Sequence, residues 1–239
     1  DEEDIKPEQT KYLKDFFNEM EETVYASYFE NKDYGWRSIL DAETFLRHFL
    51  IGELSGNTDT YWSVYQYKKR GEKKAYTGPV WDFDIAFDND YRTYPLNNKS
   101  EFVCFNGGST AGSMGQFVRR VVLQDAQTIP ELREIWAVAR CNGIDSASLC
   151  MWIDSIAEEI DRSQTFTFMR WDILNRQEHM NPVARGSFAA EVAYLKEYIT
   201  KRVEWMDKRL GYVHTDVQSP VTSCPLPIAI WDIMGRMVY

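Results

Sequence analysis

Phe188, Val192, Leu195, Ile199, Val203, Met206 and Leu210 follow one another at steps of 4, 3, 4, 4, 3 and 4 residues. Only a helix gathers such positions on one side, so the spacing predicts a helix over 187–210 with a continuous apolar stripe. Gly211 follows at the place where a left-handed residue closes a helix. A stripe that long must be covered by other helices or by a sheet. The 239 residues, 44% apolar and 15% aromatic, supply enough core for one large domain or two small ones.

Most of the remaining chain is also helical by pattern. Pro7 suits a first helical turn, and Leu13, Phe17, Met20, Val24 and Tyr28 make an apolar stripe that predicts a helix over 7–29. Asp41 is placed to cap a second helix whose apolar face is Leu46, Phe49, Leu50 and Leu54, and Gly56 stops it. Further helices are expected over 117–123, after a capping-box pattern at Thr128 and Glu131, and from Ser146 into the 160s. Arg119 and Arg120 are read as the solvated face of their helix. The glycine-rich stretch 107–115 is read as a loop, because it lacks the Gly-Lys-Ser/Thr ending of a phosphate loop.

Between the second and third helices the period changes. Residues 61–68 and 75–81 are rich in aromatic and β-branched types around the polar turn at Gly71, which predicts an antiparallel hairpin. The fold class is therefore mainly α (α+β), with helices around one small hairpin. Residues 87–115, with Pro95 and several Gly and Asn, form a long loop of the kind that carries function.

Acidic residues stand at both ends of this hairpin: Asp59 before it, Asp82 and Asp84 after it. A hairpin returns its ends close together, so the three acids are expected to converge. If 75–84 stays extended, Asp82 and Asp84 point to one side while Phe83 anchors on the other. Crowded carboxylates need protons or a cation, and hard oxygen donors favour Mg²⁺, Mn²⁺ or Ca²⁺. Aspartates at turns also cap helices, but Asp82 lies among Trp81, Phe83, Ile85 and Phe87, where that role is less natural.

The decapeptide Gly-Pro-Val-Trp-Asp-Phe-Asp-Ile-Ala-Phe at 78–87 resembles the hallmark of the CotH-type (spore-coat-protein-H-like) atypical protein kinases. Gly-Asn-Thr-Asp at 56–59 is similar to that family's upstream acidic motif, and 191–210 resembles its terminal helix. Asp88 stands where the family often has glycine. The resemblance implies an atypical kinase-like C-terminal lobe that transfers the γ-phosphoryl group of ATP to Ser or Thr of secreted or coat proteins. It implies Asp59 as the catalytic aspartate, Asn57 and Asp84 as cofactor-binding residues, Asp82 and Asp84 as metal ligands, and ATP with Mg²⁺ or Mn²⁺ as cofactors. No glycine-rich loop with a strand lysine precedes residue 41, so the nucleotide-binding lobe is expected to be missing and this chain inactive alone. The alternatives are a pseudokinase-like binding or structural protein and a secreted carbohydrate-active enzyme using two of the acids.

The remaining features bound the reading. A net charge of −10 repels a phosphate backbone, so nucleic acid is not an expected partner. No apolar run is long enough to span a bilayer. Cys104, Cys141, Cys150 and Cys224 form no CxxC pair, which argues against a structural zinc site. The tryptophans, among them Trp62, Trp81, Trp136, Trp152, Trp171, Trp205 and Trp231, are expected in the core. The kinase-like domain is expected over 1–212 and a Pro-rich linker over 213–227. Residues 228–239 resemble the start of a C-terminal sorting or β module of Bacteroidetes surface proteins, which points to an extracytoplasmic location.

Overall fold

The computed structural model describes residues 5–96, 101–105 and 112–213, the side chains of 112–114 excepted. The expected linker and C-terminal module, and Gly107 to Ala111 of the glycine-rich stretch, lie outside them. The described residues are mainly helical with one two-stranded antiparallel sheet. They group into two compact units, one built from segments up to Glu53, Asn57–Asp84 and Glu101–Ile129, the other from Leu54–Gly56, Ile85–Ser100 and the chain from Pro130 onward.

The first unit begins with α1 (Pro7–Tyr25), whose first turn is tied by Lys6 N–H donating to Gln9 Oε1. Phe16, Met20 and Val24 are its buried face, whereas Leu13, Phe17 and Tyr28 are exposed. Met20 and Val24 are thus buried as expected, Phe16 takes the place expected of Phe17, and the helix stops at Tyr25 instead of 29. Its last carbonyls are taken by Arg120, whose guanidinium donates to Val24 O and, at 2.8 Å, to Ala26 O. Arg119 likewise donates to Phe105 O at 3.0 Å. The two arginines expected on a solvated face hold backbone carbonyls instead, since a guanidinium can satisfy several orphan acceptors at once.

Asp41 caps α2 (Ala42–Ser55) as expected, its carboxylate accepting from Thr44 N–H at 2.9 Å. Phe45, Leu46, Phe49 and Leu50 are buried along it. The hairpin is shorter than predicted: β1 (Gln66–Lys68) pairs with β2 (Ala75–Thr77) in the register Gln66 with Thr77 and Lys68 with Ala75. Ala75 is also bonded to the approach to α2, donating to Ile39 O and accepting from Asp41 N–H, both at 2.8 Å. The second strand stops at Thr77 because Gly78 turns with φ 126° and Pro79 has no N–H for the ladder. The unit closes with α3 (Gly112–Arg119), which includes Gly112 and Gly115 of the expected loop, and a π-helical turn, Arg120–Gln124.

The second unit contains most of α4 (Thr128–Cys141), then α5 (Ser146–Glu159), α6 (Asp161–Arg170) and α7 (Phe188–Leu210). Thr128 is the first helical residue of α4 instead of its cap. Ser187 caps α7 and Gly211 ends it at φ 68°, both as the pattern requires. Along α7 the C-terminal half is buried (Ile199, Val203, Met206, Leu210), while Phe188, Val192 and Leu195 are only half-buried. These three line an open cavity of about 380 Å³ together with Phe168 and Leu174. Asp207 anchors α7 to α4 by accepting from Trp136 Nε1 at 2.8 Å and pairing with Arg140 at 3.0 Å. Cys104, Cys141 and Cys150 are free thiols. No helix among the described residues is long and apolar enough to cross a membrane.

Candidate phosphoryl-transfer site

Asp59 sits in a 3₁₀ turn, Thr58–Tyr61, directly after α2. Gly56 makes the break, at φ 68° and with the place of a Cβ filled by Tyr198 Oη at 2.5 Å, so no larger residue fits there. Gly52 is equally constrained, a turn earlier on α2: a Cβ there would meet Thr60 Cγ2 at 2.5 Å, so the 3₁₀ turn packs directly on the helix backbone. Thr58, Thr60 and Tyr61 are buried, which leaves Asp59 as the one partly exposed residue of the turn.

Asn57 is 1% exposed and joins the two acidic segments. Its Oδ1 accepts from Asp59 N–H at 3.2 Å, and its Nδ2 donates to the Asp82 carbonyl at 3.4 Å. The structure therefore brings Asn57, the Asp59 turn and the Asp82 loop together. Both ends of the Asn57 amide are engaged by protein.

Asp82 and Asp84 are both exposed. They do not lie on a strand as expected, because β2 has already ended, and Asp82 adopts φ 55°. Phe87 and Asp88 follow at φ 58° and 65°. Positive φ is unusual for any of these and least natural for phenylalanine, and such conformations gather where a loop is shaped for function. Asp88 is buried, and its carboxylate accepts from Leu96 N–H at 2.7 Å and Tyr194 O–H at 2.8 Å. Burial, with that hydrogen bond second, pushes the Tyr194 hydroxyl pKa upward. Among the described residues, no group of three or more His, Cys, Asp or Glu side chains forms a ready-made metal cage.

Aromatic residues flank the acids in sequence. Trp81, next to Asp82, meets Tyr65 edge-on with ring centroids 5.2 Å apart, and both are half-exposed, as is Trp62. The expectation that the tryptophans are core residues fails for Trp62, Trp81, Trp152 and Trp171, and holds for Trp136. Spacing alone misleads here because a tryptophan at a loop or helix flank can be large and still half-wetted.

Glu53 was not singled out by sequence. It is 0% exposed, and its carboxylate accepts from Tyr61 O–H, from Val103 N–H at 2.7 Å and from Cys104 N–H at 3.2 Å. Burial and then the Glu53 charge raise the pKa values of the Tyr61 hydroxyl and the Cys104 thiol. A signal was present: Glu53 lies seven residues after Leu46 and four after Phe49, on the apolar face of α2, where an acid is out of pattern.

Comparison with known proteins gives one match. The family described as CotH kinase protein matches residues 1–206. No curated protein and no solved structure matches the chain.

Proposed function

The chain belongs to the CotH kinase family and is kinase-like, and on that premise we propose that its acidic loops supply the catalytic-lobe side of phosphoryl transfer from ATP to a Ser or Thr hydroxyl of a protein substrate. The observation that carries this reading is the buried Asn57 amide, which bonds the Asp59 turn on one side and the Asp82 loop on the other. Asp59, partly exposed between buried neighbours, orients the acceptor hydroxyl and takes its proton on a carboxylate oxygen. Asp82 and Asp84 are exposed carboxylates, hard donors of the type Mg²⁺ and Mn²⁺ prefer. Mg²⁺ in such sites is held by one or two carboxylates plus phosphate oxygens, so two acids are sufficient donors. When bound, the cation neutralises charge on the phosphate oxygens. Asn57 serves the nucleotide side by holding the Asp82 loop in place. The location we propose with this activity is extracytoplasmic, on the likeness of residues 228–239 to a sorting module.

The test is thermal melting of wild type and Asp82→Asn with millimolar Mn²⁺ or with chelator. Mn²⁺ that binds only the folded protein raises the melting temperature of wild type by mass action, and Asp82→Asn abolishes the rise without lowering stability in chelator. If wild type ignores Mn²⁺ and the substitution costs about 1–3 kcal/mol regardless of metal, Asp82 is a structural hydrogen-bond acceptor and the reading fails.

A further inference from the structure

Glu53 on α2 is a fully buried carboxylate linked to the turn that carries Asp59. Taking a carboxylate out of water is costly unless donors surround it, and Glu53 meets the Tyr61 hydroxyl and the backbone N–H groups of Val103 and Cys104. Tyr61 is the last residue of the turn that displays Asp59, and Val103 and Cys104 belong to a separate short 3₁₀ segment, Val103–Phe105. One side chain on α2 thereby ties that helix to two other segments of the chain.

The turn packs on α2 at Gly52. It closes through Thr60 N–H to Asn57 O at 3.3 Å, Trp62 N–H to Asp59 O at 3.0 Å and Ser63 N–H to Asp59 O at 2.8 Å. Four residues of 3₁₀ geometry do not hold a shape in water unaided. Its start is fixed by Asn57 and its end by the hydroxyl of Tyr61, buried on Glu53. Asp59 lies between these two anchors.

We propose that Glu53 is the positioning residue of the site: through Tyr61 it fixes the 58–61 turn and so the direction of the Asp59 carboxylate. Glu53 touches neither substrate nor metal. Its assignment to phosphoryl transfer rests on the function proposed above, while its hold on the turn is testable without it.

Two substitutions separate the possibilities. Glu53→Gln keeps the size but replaces one acceptor oxygen by a donor amide that faces the same N–H and O–H groups. Tyr61→Phe removes only the hydroxyl link and leaves Glu53 its backbone partners. Amide hydrogen exchange is followed in both variants at Thr60, Trp62 and Ser63, with Met20 in α1 as the reference. Exchange at the turn should accelerate about tenfold more than at Met20, because the turn opens locally while the rest of the unit stays folded. Mn²⁺ titration of the same proteins, read by melting temperature, should show the wild-type affinity, because Asp82 and Asp84 supply the cation's donors and the turn carries only Asp59.

Turn amides that exchange as in wild type, or that accelerate only in step with Met20, overturn the proposal and leave Glu53 as a core acid. Faster exchange accompanied by a loss of Mn²⁺ affinity also overturns it, since the substitution then disturbs the Asp82 loop and not the Asp59 turn alone. If wild type itself shows no Mn²⁺ response, the proposed function falls, and the exchange comparison alone decides whether Glu53 holds the turn. Should Glu53→Gln fail to fold, Tyr61→Phe carries the same comparison.

Discussion

At Asp88 two demands meet in one side chain. Its φ of 65° suits glycine or asparagine, while its buried carboxylate receives Leu96 N–H and Tyr194 O–H. Asp88→Ala meets neither demand and should cost about 2 kcal/mol or more in urea unfolding, Asp88→Gly somewhat less because the backbone relaxes, and Asp88→Asn under about 1 kcal/mol because it keeps an acceptor and tolerates the left-handed region. A flat series would show that the two hydrogen bonds contribute nothing. His48, buried on α2, has its pKa lowered from 6.5 by burial, so the folded protein resists a proton that the unfolded chain accepts. Its contribution to stability is full above pH 6.5 and is lost as pH falls from there toward the lower folded value. Urea midpoints between pH 5 and 8 should decline on the acid side of 6.5, and His48→Gln should remove that component of the decline. What sequence could say at this scale was the identity of the acids and their closeness in chain; that the strand ends before Asp82 was signalled by Pro79, which has no N–H for a ladder, and was missed.

Single helices show why some expectations were sound and others drifted. Caps are local chemistry, and Asp41 and Gly211 do what their types and positions suggest, although Thr128 enters its helix instead of capping it. Which face of a helix is covered depends on partners far along the chain, so Leu13, Phe17 and Tyr28 were expected to be buried on α1 and are not, and the N-terminal half of α7 was expected to be deeper than it is. Leu195 is half-buried beside an open cavity, whereas Met206 is 0% exposed. Met206→Ala should therefore cost about 2–5 kcal/mol and Leu195→Ala well under 2 kcal/mol, measured by chemical denaturation, because only the first leaves a closed cavity behind. Equal losses would mean that the α7 N-terminal half is covered in solution.

For the whole molecule, the class of fold was legible from periodicity, and the family from a ten-residue motif. The division into two interleaved units was not, because it follows from long-range packing that no local pattern encodes. The tryptophans offer a direct check on the placement of surface and core. N-bromosuccinimide should oxidise Trp62, Trp81, Trp152 and Trp171 early and spare Trp36 and Trp136, with peptide mapping as the readout; early loss of Trp36 would contradict the packing of the first unit. The Arg120 clasp on the end of α1 carries a consequence in time. Its acceptors, Val24 and Ala26, lie 96 and 94 residues before it. On the ribosome, α1 emerges long before the cation that completes its last turn, so that end of the helix should stay frayed, and recognisable to chaperones or proteases, until synthesis has passed residue 120.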